Sequence, residues 1–91
     1  MAENPLEQIP PASFSTLVTM LATQAMAALG QIPDPVSKQP VVNTPLAKHF
    51  IDSLAVLEVK TKRNLSELES QMLESMLYEL RLLFVAVEKK K

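Results

Sequence analysis

The chain has 91 residues, 47% hydrophobic and 21% charged, with a formal net charge of −1, one histidine and no cysteine. That length sets one domain at most, and the missing cysteine excludes disulfides and thiolate metal sites. The near-neutral balance removes any global pull toward nucleic acid or anionic lipid, and the lone His49 excludes a histidine-rich metal site.

Residues 1–12 hold three prolines and no sustained hydrophobic period, and read as a flexible lead. Glu3 and Glu7 stand there without a Lys or Arg, whereas a secretory signal needs a basic start. A cysteine-free chain also fits a reducing compartment, so the expected location is cytoplasmic. Residues 13–88 form the expected single helical domain, and Lys89, Lys90 and Lys91 a basic tail.

The first predicted helix covers residues 14–29, and no charged residue occurs between Glu7 and Asp34. Ser13 is placed to cap it, its hydroxyl accepting a first-turn N–H. Phe14, Leu17, Val18, Leu21, Ala25 and Leu29 follow helical spacing along one face. Met20, Ala27 and Ala28 lie outside that stripe, so the apolar surface is wide and calls for two partners. Gly30 is the expected left-handed residue just past the end. A membrane span needs ~20 predominantly apolar residues. Pro11 and Gly30 bound a shorter run that contains Ser15, Thr16, Thr19, Thr23 and Gln24, which reads as a core helix and not as a span.

Residues 30–43 form the connector, in which Pro33, Pro35 and Pro40 disfavour helix and suggest a stiff, extended path. Ile32, Val41 and Val42 are its candidate anchors, and Val41–Val42 is too short for a sheet. The second predicted helix covers residues 45–62. Thr44 is read as its cap and Pro45 as its first residue, where a missing N–H costs nothing. Leu46, Ala47, Phe50, Ile51, Leu54 and Leu57 form the inward stripe, and Asn64 is the expected left-handed residue after its end. The third predicted helix covers residues 67–87 and opens on a capping box, Ser66 with Glu69. Leu68, Met72, Met76, Leu80, Leu83 and Val87 give one stripe, and Leu73, Leu77 and Phe84 a second beside it. The corner at residues 63–66 makes the last two helices a tight αα-hairpin. The expected fold class is therefore all-α, a three-helix protomer. So short a chain seldom builds a sufficient core alone, so assembly into a helical homodimer is expected. The expected self-association residues are Phe14, Leu17, Val18, Leu21 and Ala25 on the first helix.

Several of these residues carry a resemblance. They include Phe14, Gln24 and Ala25, then Leu29, Gly30, Gln31, Ile32, Pro33, Asp34 and Pro35. Ala47, Ile51, Asp52, Leu54 and Leu57 follow, then Lys60, Thr61, Asn64, Leu65, Ser66 and Glu69, and last Leu77, Leu80 and Arg81. Over about residues 14–85 the chain resembles domain-of-unknown-function family 1844, a family of small bacterial proteins. Its most specific stretches are residues 29–35 and 60–66. Arg63 stands where that pattern leads one to expect a small residue. The resemblance implies a small bacterial helical protein, and it transfers no catalytic or binding residue.

No constellation points to chemistry. His49 and Asp52 share a helix face, yet a general base needs a nucleophile and an orienting partner. Glu67, Glu69, Glu74 and Glu79 lack the Glu-x-x-His pairs of carboxylate di-metal bundles. Neither a catalytic residue, a cofactor nor a metal is expected. Met20, Met26, Met72 and Met76 read as core filler that could also gather into a binding patch. Lys60, Lys62 and Arg63, extended by Lys89 to Lys91, form the one basic cluster, and a nucleic-acid-associated helical protein is the alternative that it supports. The reading from sequence is a non-enzymatic, self-associating protein-interaction or structural module.

Overall fold

A computed structural model of the chain describes residues 9–34 and 36–90. Most of the expected lead, residues 1–8, and the last residue of the basic tail, Lys91, lie outside the described residues. Three helices follow in order: α1 (Phe14–Ala28), α2 (Thr44–Lys60) and α3 (Glu67–Lys89). Every pair of helices is in contact, so α1 packs against both members of the α2–α3 pair.

Each helix begins where a side chain satisfies a first-turn N–H. Ser13 Oγ accepts the Thr16 N–H at 3.0 Å. Ser66 Oγ accepts the Glu69 N–H at 3.1 Å, and Glu69 Oε1 accepts the Ser66 N–H at 2.9 Å, a complete capping box. The start of α2 departs from the sequence expectation. Its cap is Asn43, whose Oδ1 accepts the Leu46 N–H at 3.1 Å. Thr44 is already helical and buried, and Pro45 is the second helical residue. Either of two adjacent capping residues suits this position, and asparagine takes it.

α1 ends in a Schellman motif. The Gln31 N–H donates to the Met26 carbonyl and the Gly30 N–H to that of Ala27, both at 3.0 Å. Gly30 takes a φ of +79° there, as expected. The end of α2 departs again, because the left-handed residue is Arg63, with φ 70°, and not Asn64. The Asn64 N–H instead donates to the Thr61 carbonyl at 2.8 Å, which closes the turn over Arg63.

The connector is not simply extended. Asp34 gathers it into a closed loop. Its carboxylate accepts the N–H groups of Val36 and Ser37, its carbonyl accepts the Lys38 N–H at 2.7 Å, and its own N–H donates to Gln39. The chain then returns to α1, where Leu29 and Val42 form an isolated antiparallel bridge and the Asn43 N–H donates to the Ala28 carbonyl at 2.7 Å. Backbone bonds therefore fix the connector. Ile32, Val41 and Val42 stay exposed instead of anchoring it through their side chains.

The core is made of Val18, Ala22, Ala25, Ala28 and Leu29 from α1 and its cap, Ala47, Ile51 and Leu54 from α2, and Leu73, Leu77 and Leu80 from α3. Four of these are alanines, which lets the helices approach closely. Ala22 and Ala28 occupy places that the sequence stripe gave to larger neighbours such as Leu17, which is exposed. Leu68 is 79% exposed and Leu46 43%, so neither belongs to the inward stripes assigned to them.

The isolated Leu29–Val42 bridge makes Gly30 a steric pivot. A Cβ there would lie 2.8 Å from Val42 Cγ2, on a backbone that is left-handed already. Gly30→Ala should lower urea-unfolding stability by at least ~1 kcal/mol. Adding Val42→Ala should recover the steric part and leave the conformational part. Ser66→Ala should cost ~1 kcal/mol through the lost cap of α3, and an unchanged unfolding midpoint would place the start of α3 elsewhere.

Candidate interaction surfaces

Alternation of inward and outward residues on α1 divides the five expected association residues. Val18 and Ala25 are fully buried within the protomer, and Phe14 and Leu21 lie partly buried against the same core. Leu17 alone is exposed. The outward face of α1 is a different set. At helical spacing, Thr16, Met20, Thr23 and Ala27 line up opposite Val18, Ala22 and Ala25. Met20 is 60% exposed, and Thr19, Thr23 and Gln24 beside it are exposed. A shallow groove of about 400 Å³ runs along this face, its walls including Pro10, Thr16, Thr19, Met20 and Thr23. Sequence reasoning concentrated on the leucines. The charge-free run was read from the sequence, but it was assigned to the leucine side and not to this Thr-, Met- and Ala-lined face.

α3 has a second outward stripe. Tyr78, Leu82 and Val85 are exposed at i, i+4 and i+7, with Leu68 further toward the N-terminus. Glu74, Glu79, Arg81 and Glu88 alternate with them and are exposed as well. On α2, Val56 and Val59 are exposed beside Lys60, a smaller patch.

Lys60, Lys62 and Arg63 are exposed at the C-terminal end of α2. The cleft that Lys62 and Arg63 line also contains Glu58 and Glu74, so acids offset the bases locally. Lys89 does not extend this cluster, because the length of α3, about 33 Å, separates it from the α2–α3 turn.

Among the described residues, the His49 side chain makes no hydrogen bond to Asp52 or Ser53. The His49 and Phe50 rings meet in a T-shaped contact with centroids 5.4 Å apart. Asp52 pairs with Lys48 at 2.7 Å, and the Ser53 hydroxyl donates to the His49 carbonyl at 2.8 Å. Each of the three side chains is thus engaged elsewhere. The exposed Lys48–Asp52 pair is worth little to stability. Among the described residues no group of three or more His, Asp or Glu could hold a metal ion. The methionines do not form one patch either, since Met26, Met72 and Met76 pack on the core and Met20 points outward.

The Ser37 N–H, acting against partial desolvation and assisted by the Val36 N–H and the Ser37 hydroxyl, holds the Asp34 carboxyl below its usual 3.8. This is a turn-forming carboxylate, like the cap at Glu69. Both stretches that carry the family resemblance have the same character. In residues 29–34, Leu29 is buried and bridged, Gly30 is left-handed and Asp34 closes a loop. In residues 60–66, the Thr61 hydroxyl donates to the Leu57 carbonyl at 2.6 Å, the Asn64 N–H closes the turn and Ser66 caps α3.

Residues 11–86 match the family model described as "Domain of unknown function (DUF1844)". No curated protein and no solved structure matches the chain. No helix is long and apolar enough to cross a membrane, among the described residues.

Arg63 adopts a backbone conformation that costs a side-chain-bearing residue roughly 1–2 kcal/mol. Arg63→Gly should therefore raise stability, by up to ~1 kcal/mol after the added freedom of the unfolded chain is deducted. A lower unfolding midpoint for that variant would show that the Arg63 side chain makes a compensating contact.

Proposed function

The chain belongs to domain-of-unknown-function family 1844, and from that premise we propose that it is a non-enzymatic helical module that works through protein–protein contact, first of all with itself. One observation carries this reading. Fourteen large hydrophobic side chains among the described residues are exposed, whereas seven larger than alanine are buried: Val18, Leu29, Ile51, Leu54, Leu73, Leu77 and Leu80. Single exposed apolar residues need no explanation, but stripes of them mark contact surfaces. Here nine of the fourteen lie on the three helices, among them Leu17 and Met20 on α1, Val56 and Val59 on α2, and Tyr78, Leu82 and Val85 on α3. A domain of this size also gains most from an added interface, since its own core is small. α1 is the main association element, because its inward face builds the core and its outward face carries no charge.

The engagement of the lone histidine and its neighbours with other groups weighs against a catalytic reading. His49, Asp52 and Ser53 each face a different partner, as the contacts above describe. The alternative, nucleic-acid contact through Lys60, Lys62 and Arg63, is weakened by Glu58 and Glu74 in the same cleft. It is weakened further by Glu74 and Glu79 on α3, which would repel phosphate.

Sedimentation equilibrium at micromolar concentration should give at least twice the chain mass of 10.1 kDa. A single stable monomer would refute the proposal. Binding to generic duplex DNA at physiological salt should be weak. Sub-micromolar affinity that falls with salt and is lost in a Lys60/Lys62/Arg63→Ala variant would establish the alternative instead.

A further inference from the structure

We infer that two copies of this chain pair through the outward face of α1, antiparallel, about a twofold axis that passes between Met20 and Thr23. This rests on the self-association reading and specifies its geometry. A twofold contact sets one patch against itself, so the patch must be self-complementary. Charge decides which stripe qualifies. The α3 stripe is edged by Glu74, Glu79 and Glu88 against Arg81 and Lys89, and pairing it with its own copy would set a charged, net negative surface against another. On α2, Val56 and Val59 stand among Asp52 and Lys60, too few for a seam. α1 has no charged residue at all, whereas α2 has four and α3 seven. Charge depletion is what distinguishes the centre of an interface.

Shape agrees with charge. Thr16, Met20, Thr23 and Ala27 fall at i, i+4, i+7 and i+11, the spacing of a helix–helix seam. Antiparallel pairing about the stated axis sets Met20 against Thr23 of the second copy and Thr16 against its Ala27. Each layer then joins a larger side chain to a smaller one. The groove of about 400 Å³ beside Met20 receives the flexible methionine of the other copy. The positions flanking the seam, Leu17 and Gln24, meet each other without a charge between them.

The chain has no cysteine of its own, so introduced thiols report cleanly. Met20→Cys and Thr23→Cys both change exposed side chains, which leaves the protomer core untouched. Mixed and mildly oxidised, the two single variants should give a disulfide-linked pair several-fold more abundant than either variant alone, and Leu82→Cys on α3 should give none above background. Wild-type protein is sedimented in parallel. Stronger linkage of Met20→Cys with itself would overturn the antiparallel geometry. Linkage at Leu82→Cys without linkage on α1, or a dimeric wild type that links at no position, would overturn the inference while leaving self-association standing. A monomeric wild type without linkage would remove both.

Discussion

The packing of a charge-free helix against two charged ones is the constraint from which the rest of this structure follows. α1 supplies Val18, Ala22, Ala25, Ala28 and Leu29 to the core and touches both α2 and α3. Alanines on its inner face let the other two helices approach closely, and Leu54, Leu73, Leu77 and Leu80 fill the space between. The turns serve that packing. The Schellman end of α1, the bridge from Leu29 to Val42 and the closed loop at Asp34 bring α2 back onto α1 without a long strand or a bulky anchor. The Arg63 turn and the Ser66–Glu69 box then set α3 beside α2.

The helices were legible from sequence because their ends carry chemistry. Ser13, Gly30 and the Ser66–Glu69 pair each act as their residue types predict. The misses have two physical sources. Where two neighbours share a capability, spacing cannot choose between them: Asn43 caps α2 although Thr44 was equally eligible, and Arg63 turns left-handed although Asn64 tolerates that conformation better. Where a helix is apolar nearly all round, periodicity cannot orient it. Leu17 looked more inward than Ala22 or Ala28 on hydrophobicity, yet close helix approach selects small residues, and the protomer buries the alanines. Leu68 was misplaced for a related reason, since it lies in the first turn of α3, beyond the reach of the core.

The proposed interaction surface was half legible. The absence of charge along α1 marked it as an association element from the start, but the residues named for that role were drawn from its most hydrophobic side. Two of them, Val18 and Ala25, lie wholly inside the protomer. The family match adds membership over residues 11–86 and no activity. The stretches that carry the resemblance, residues 29–34 and 60–66, form backbone turns that close the fold. What supports the proposed contact surface is the outward apolar stripes.

If α1 is completed by a second copy, folding and assembly are coupled, and stability must depend on protein concentration. Urea unfolding followed by circular dichroism over a hundredfold range of concentration tests this most directly. The account predicts a midpoint that rises steadily with concentration, with apparent stability increasing by about 2.7 kcal/mol across the range if dissociation and unfolding are one step. A midpoint that stays fixed over the whole range would mean that the protomer is stable alone, and would contradict the central claim.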